Sequence, residues 1–201
     1  MLRLRPAIVA IVSLGVLAAG CGDDSVETTA DPGGSTTTTS STTTTPEPNS
    51  GPTATDLAAL EPGIACGDAV WHFATPDDDV LLRIDIPGLL ASIADEGVVD
   101  RSYDIADTDS GATATLETGT SLGATACNDV PSREYEVTDT RSATKGNVRL
   151  EIPEVPAGPL EVCATSVETT LSVDSISFEV DGEILTTGLL SLTSPIGWCP
   201  G

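Results

Sequence analysis

The chain has 201 residues and carries 31 Asp and Glu against 8 Lys and Arg, a net charge of −23. Such a charge repels nucleic acid and anionic membrane surfaces, which argues against both as electrostatic partners and leaves solvation, a cationic partner or a metal as uses for the acids. The aromatic set is Trp71, Phe73, Tyr103, Tyr135, Phe178 and Trp198, so a core must rest on Val, Ile, Leu and Ala with Thr and Ser at half-exposed positions, a composition suited to pleated strands.

Residues 1–20 read as a secretory signal, with Arg3 and Arg5 ahead of the apolar stretch AIVAIVSLGVLAA. That stretch is short for a bilayer span, which needs about 20 residues. Small residues then lead into Cys21, and Leu17, Ala18, Ala19, Gly20 and Cys21 resemble the lipobox of bacterial lipoproteins. The family usually prefers a larger aliphatic residue three positions before the cysteine, where this chain has Ala18 with Leu17 one place further back, a mild departure of a kind the family tolerates. The resemblance implies cleavage before Cys21, diacylglycerol on its sulfur, and attachment to the outer face of a bacterial cell membrane. Two or three acyl chains suffice for such an anchor, since each buried CH₂ contributes about 0.8 kcal/mol. Without its leader the chain has the bases Arg83, Arg101, Arg133, Arg141, Lys145 and Arg149 against all 31 acids.

From Cys21 to residue 62 the sequence is dominated by Thr and Ser with Pro and Gly, including STTTTSSTTTTPEP. It has too few apolar residues to offset the entropy of ordering, and reads as a disordered stalk, plain or O-glycosylated, spanning on the order of 35 Å. DLAAL (56–60) is at most one helical turn before Pro62.

From Gly63 the texture changes to short runs between turn residues. AVWHFAT is a first strand, and PDDD turns the chain into VLLRIDI, which alternates with a period of two. GLLASIADEG is the one helical candidate, closed by Gly97. Further strands are expected at VVDRSYDI, ATATLET, REYEVTDTRSAT, NVRLEI, LEVCATSVET, SISFEV and EILTTGLLS, the last two joined by Asp181-Gly182, a type I′ hairpin signal. Eight or nine strands without helices to cover a parallel sheet point to an all-β antiparallel sandwich over 63–201, with a barrel as the alternative.

Five cysteines are one too many for a fully paired exported protein. With Cys21 lipidated, Cys66, Cys127, Cys163 and Cys199 form two disulfides. Pairing Cys66 with Cys127 and Cys163 with Cys199 is favoured among three connectivities, because each closes a moderate loop.

Candidate chemistry is sparse. Gly119-Thr120-Ser121-Leu122-Gly123 matches G-x-S-x-G, but that motif needs a strand-turn-helix context and a later histidine. The single histidine, His72, precedes it and no helical pattern follows Ser121, so the match reads as a Gly-rich turn. Asp109-Ser110-Gly111 repeats a string found around the serine of chymotrypsin-like proteases, yet VWHFAT does not resemble that family's histidine motif and about 140 residues are too few for two barrels. His72, between Trp71 and Phe73, reads as a packed or edge-facing residue.

Asp104, Asp107 and Asp109 are a weak calcium candidate beside the Asp77–Asp79 run. The glycine at 111 falls one position early for an EF-hand loop, and position twelve is Thr118 instead of Glu. Zinc spacing, a phosphate-binding glycine loop and a catalytic residue set are not evident. The domain as a whole resembles uncharacterised secreted or lipid-anchored β-rich proteins of Gram-positive bacteria, through CNDV, the late Asp-Gly turn and the terminal GW followed by PG. The expectation is a non-enzymatic surface module for an unknown envelope or extracellular ligand. The other reading is a calcium-stabilised adhesion or carbohydrate-binding module.

Overall fold

The structure is a computed structural model, described here over residues 51–128 and 134–199. Residues 1–50, on which the expected leader, lipidated Cys21 and most of the expected stalk fall, and Arg133 lie outside the described residues.

Among the described residues ten strands form two antiparallel sheets in an open sandwich. The first sheet runs in the order β1 (Glu61–Cys66), β2 (Val70–Ala74), β3 (Val80–Asp85), β5 (Thr113–Thr120), β6 (Glu136–Ser142). The second runs β10 (Leu190–Ile196), β8 (Val167–Val180), β7 (Lys145–Ile152), β4 (Val99–Asp104), with β9 (Glu183–Thr186) paired to the far half of β8. Antiparallel pairing suits these strands because one face of each is apolar. Trp71 and Phe73 pair with Ile84 and Leu82, which in turn pair with Ala114 and Leu116, and all six are buried. Val148, Leu150, Leu171, Val173, Leu192 and Ile196 answer them from the second sheet.

Buried polar contacts tie the sheets together where β1 meets β10. The Trp71 indole donates to Thr169 Oγ1 at 3.2 Å, and that hydroxyl donates to the Ser194 carbonyl at 2.7 Å. Beside them the Ala65 amide donates to Ser194 Oγ. The Trp198 indole donates to the Ala65 carbonyl at 2.8 Å, which docks the last described residues on β1. The expected hairpin joins β8 to β9, with φ of +51° at Asp181 and +85° at Gly182, the two positive values that a type I′ turn requires.

Both disulfides have the favoured connectivity, Cys66 with Cys127 and Cys163 with Cys199, at Cα separations of 5.7 and 4.8 Å. The Cys163 surroundings differ from expectation, because LEVCATSVET is not one strand. Residues Glu161–Thr165 close a turn in which the Glu161 carbonyl accepts from the amides of Ala164 and Thr165, and Cys163 has φ +66°. That turn aims the sulfur at Cys199, and β8 begins only at Val167.

The N-terminal limit of the fold also lies earlier than residue 63. A one-turn helix α1 (Ala54–Ala58) opens on a capping box, in which Asp56 accepts from the Thr53 amide at 2.7 Å and Thr53 Oγ1 accepts from the Asp56 amide. Leu57 is fully buried and Leu60 nearly so, and Glu61 and Pro62 already belong to β1. Tertiary packing therefore orders a segment whose length alone would leave it marginal, and the helix expected in GLLASIADEG is likewise one turn, α2 (Leu89–Ile93), with Leu89, Leu90 and Ile93 buried.

Candidate functional site

The outer face of the first sheet is covered at one place by the segment after β5. β5 ends at Thr120, Ser121 turns the chain with φ +57° and ψ 31°, and a one-turn helix α3 (Leu122–Thr125) follows at once. This corrects the expectation that no helix follows Ser121, because the strand-turn-helix shape of G-x-S-x-G is present. Packing accounts for both of its glycines. A Cβ on Gly119 would overlap the Glu136 carbonyl at a β5–β6 bulge, and one on Gly123 would crowd Ala74 and the Asp78 carboxylate.

Backbone bonds hold this segment to the acidic turn between β2 and β3. The amide of Leu122 donates to the Asp78 carbonyl at 2.8 Å and that of Gly119 to the Asp79 carbonyl at 2.9 Å. Leu122 is buried together with Leu81 on the outer side of the sheet, apart from the main core. Beyond α3, Cys127 (φ +60°) reaches back to Cys66 at the end of β1. The disulfide pins the cover shut.

Under it lies His72, at 6% exposure. Its ring Nδ1 is 3.3 Å from Cys127 Sγ, and the Ile64 backbone lies close enough to the ring to favour its protonated form. Burial, and then the Arg83 guanidinium, push its pKa down to about 4, so the imidazole is neutral near pH 7. The expectation of a packed histidine holds. Its strand neighbours Trp71 and Phe73 point to the opposite side, into the core.

Around this cover opens a cleft of about 180 Å³, with His72, Arg83 and Glu117 on the sheet and Asn128, Tyr135 and Val137 on its rim. Tyr135 and Val137 are exposed apolar groups, and Arg83 is ion-paired with Asp85 at 2.7 Å. Small-molecule sites usually enclose roughly 300–1,000 Å³, so this cleft accepts one ring or a terminal group. A larger opening of about 410 Å³ lies between Thr53 and Val180–Leu185, where the chain enters the domain.

The other candidates do not assemble. Asp104 Oδ1 accepts from the Ala106 amide and Asp107 Oδ1 from the Asp109 amide, so these carboxylates cap their own turns. Among the described residues the metal-competent group is Cys66, His72 and Cys127, and Asp104, Asp107 and Asp109 form none. Ser110 takes part in the same loop, with Oγ accepting from the Ala112 amide. In the Asp77–Asp79 turn, the Thr75 hydrogen bond lowers the pKa of Asp77, while desolvation and its two neighbours raise that of Asp79.

The convergence of His72 and Cys127 was not legible in the sequence, because the two are 55 positions apart. The one signal was the disulfide itself, since Cys66 ends the strand beside the one that carries His72. No family model, curated protein or solved structure matches the chain.

Proposed function

We propose that the protein is a non-enzymatic binding module on the outer face of a bacterial cell membrane, anchored by lipid on Cys21, and that its ligand is a saccharide of the envelope taken at the cleft beside α3. The observation that carries the ligand class is the exposed Tyr135 ring and Val137 on the rim of a cleft whose sheet floor carries Arg83 and Glu117. A sugar ring has an apolar C–H face to lay on an aromatic side chain and hydroxyls that pair with a carboxylate and a guanidinium. The small volume favours a terminal residue over a chain segment. Export is supported by the two disulfides, which form and persist in oxidising compartments.

Titration calorimetry of the intact protein against envelope oligosaccharides tests the ligand. Tyr135→Ala and Glu117→Gln should each weaken binding about tenfold or more, on the scale of one lost aromatic or charge-assisted contact. Affinity untouched by both changes rejects the cleft, and turnover of the bound glycan rejects a non-enzymatic role. For the anchor, Cys21→Ser should move the protein from the membrane fraction to the soluble one. Mass spectrometry of native protein should find diacylglyceryl-Cys21 as its first residue.

A further inference from the structure

We propose that the Cys66–Cys127 disulfide and His72 form a redox-gated site for one thiolate-preferring d¹⁰ cation, Cu⁺ or Zn²⁺, which the dithiol state binds and the disulfide state releases. The two sulfurs and a ring nitrogen of His72 lie within 4.8 Å of one another. Thiolates and an imidazole are the ligands that suit these ions, and Cys₂His with a fourth position open is an established zinc arrangement.

The geometry is close to that of a loaded site. With metal–sulfur bonds of about 2.3 Å and metal–nitrogen bonds of about 2.0–2.1 Å, tetrahedral ligands lie about 3.5–3.8 Å apart. His72 Nδ1 is already 3.3 Å from Cys127 Sγ. The sulfurs must separate, and Cys66 Sγ must close about 1 Å of the 4.8 Å span toward the ring nitrogen, movements that side-chain rotation across Cα atoms 5.7 Å apart permits. His72 is more than nine-tenths buried, so its ring is fixed in place beside the two sulfurs. The open side faces the cleft, on whose wall Cys127 lies, so a reductant and an ion share one entrance.

The chemistry balances in two steps. A dithiol reductant attacks the disulfide by exchange, its two sulfurs become the new disulfide, and its two hydrogens pass to Cys66 and Cys127. The cation then displaces both thiol protons to solvent and takes the His72 lone pair. Reoxidation by a disulfide partner reverses the first step and expels the ion.

Site-resolved alkylation of the full chain tests this. The protein is reduced, titrated with Cu⁺ or with Zn²⁺ in separate arms, alkylated briefly and mapped by peptide mass spectrometry. Either ion should protect Cys66 and Cys127 but not Cys163 and Cys199, with Cu⁺ acting at the lower concentration. His72→Ala should raise the concentration needed about tenfold or more. Metal should also raise the melting temperature of reduced protein, because it binds only the folded arrangement. Equal protection of all four cysteines, protection indifferent to His72→Ala, or a reduced chain that the metal neither protects nor stabilises overturns the proposal.

Discussion

His72 is a base kept from its proton by its surroundings, and stability must therefore depend on pH. Its native pKa of about 4 lies below the unfolded value of 6.5, so the unfolded chain takes up a proton that the native state refuses between those limits. The contribution is whole above pH 6.5, is lost as pH falls through the window, and is exhausted below about pH 4. A difference of this size is worth on the order of 3 kcal/mol. His72→Gln, with the disulfide intact, should flatten the fall in melting temperature between pH 7 and pH 4. Parallel curves for the two proteins would show that the ring titrates normally. Gly123 makes a second residue-scale test, because Gly123→Ala pushes a methyl onto Ala74 and the Asp78 carboxylate. It should lift α3 from the sheet at a cost of about 1–3 kcal/mol, read as faster hydrogen exchange at the Leu122 amide.

At the scale of elements, α1 shows how a segment too short to be stable alone becomes part of the fold. Thr53 and Asp56 fix its first turn, and Leu57 supplies a fully buried side chain to the common core. Leu57→Ala should cost about 2–5 kcal/mol in denaturant titration, the range for an emptied leucine site. A change within experimental error would show that α1 adds nothing to the core. The period-two alternation of VLLRIDI and NVRLEI and the Asp-Gly turn were readable from sequence because each is a local pattern that the final structure keeps. β1 was not readable, since EPGIAC holds a proline, a glycine and four exposed positions and is a strand only because β2 pairs with it. α3 escaped notice for a similar reason. Its one turn is held by the carbonyl of Asp78 from another part of the chain. The cleft was invisible as a whole because it needs the β5–β6 bulge, α3 and the disulfide at once, while the disulfide pairing rested on loop size and could be anticipated.

For the whole molecule, the question is what holds a strongly acidic, aromatic-poor sandwich together. The arginines at 83, 101, 141 and 149 each pair with an acid, but these pairs are partly or largely exposed and contribute little apiece. Cross-links carry more. Closing loops of 61 and 36 residues removes unfolded-state entropy worth about 4 kcal/mol for each bridge in the chain-entropy account. In a domain of this size 1 kcal/mol shifts the midpoint by about 2–4 °C, so opening either bridge alone should lower the melting temperature by on the order of 10 °C, and opening both by clearly more. The two losses should differ in place although they are alike in size. Without Cys66–Cys127 the early loss of protection should fall on α3 and the outer Leu81–Leu122 contact. Without Cys163–Cys199 it should fall on the Glu161–Thr165 turn and the docked Trp198. Hydrogen exchange on the pairs Cys66→Ser with Cys127→Ser and Cys163→Ser with Cys199→Ser reads both quantities. A melting temperature within a few degrees of the parent after both bridges are opened would mean that the apolar core suffices by itself, and that the disulfides serve the site instead of the fold.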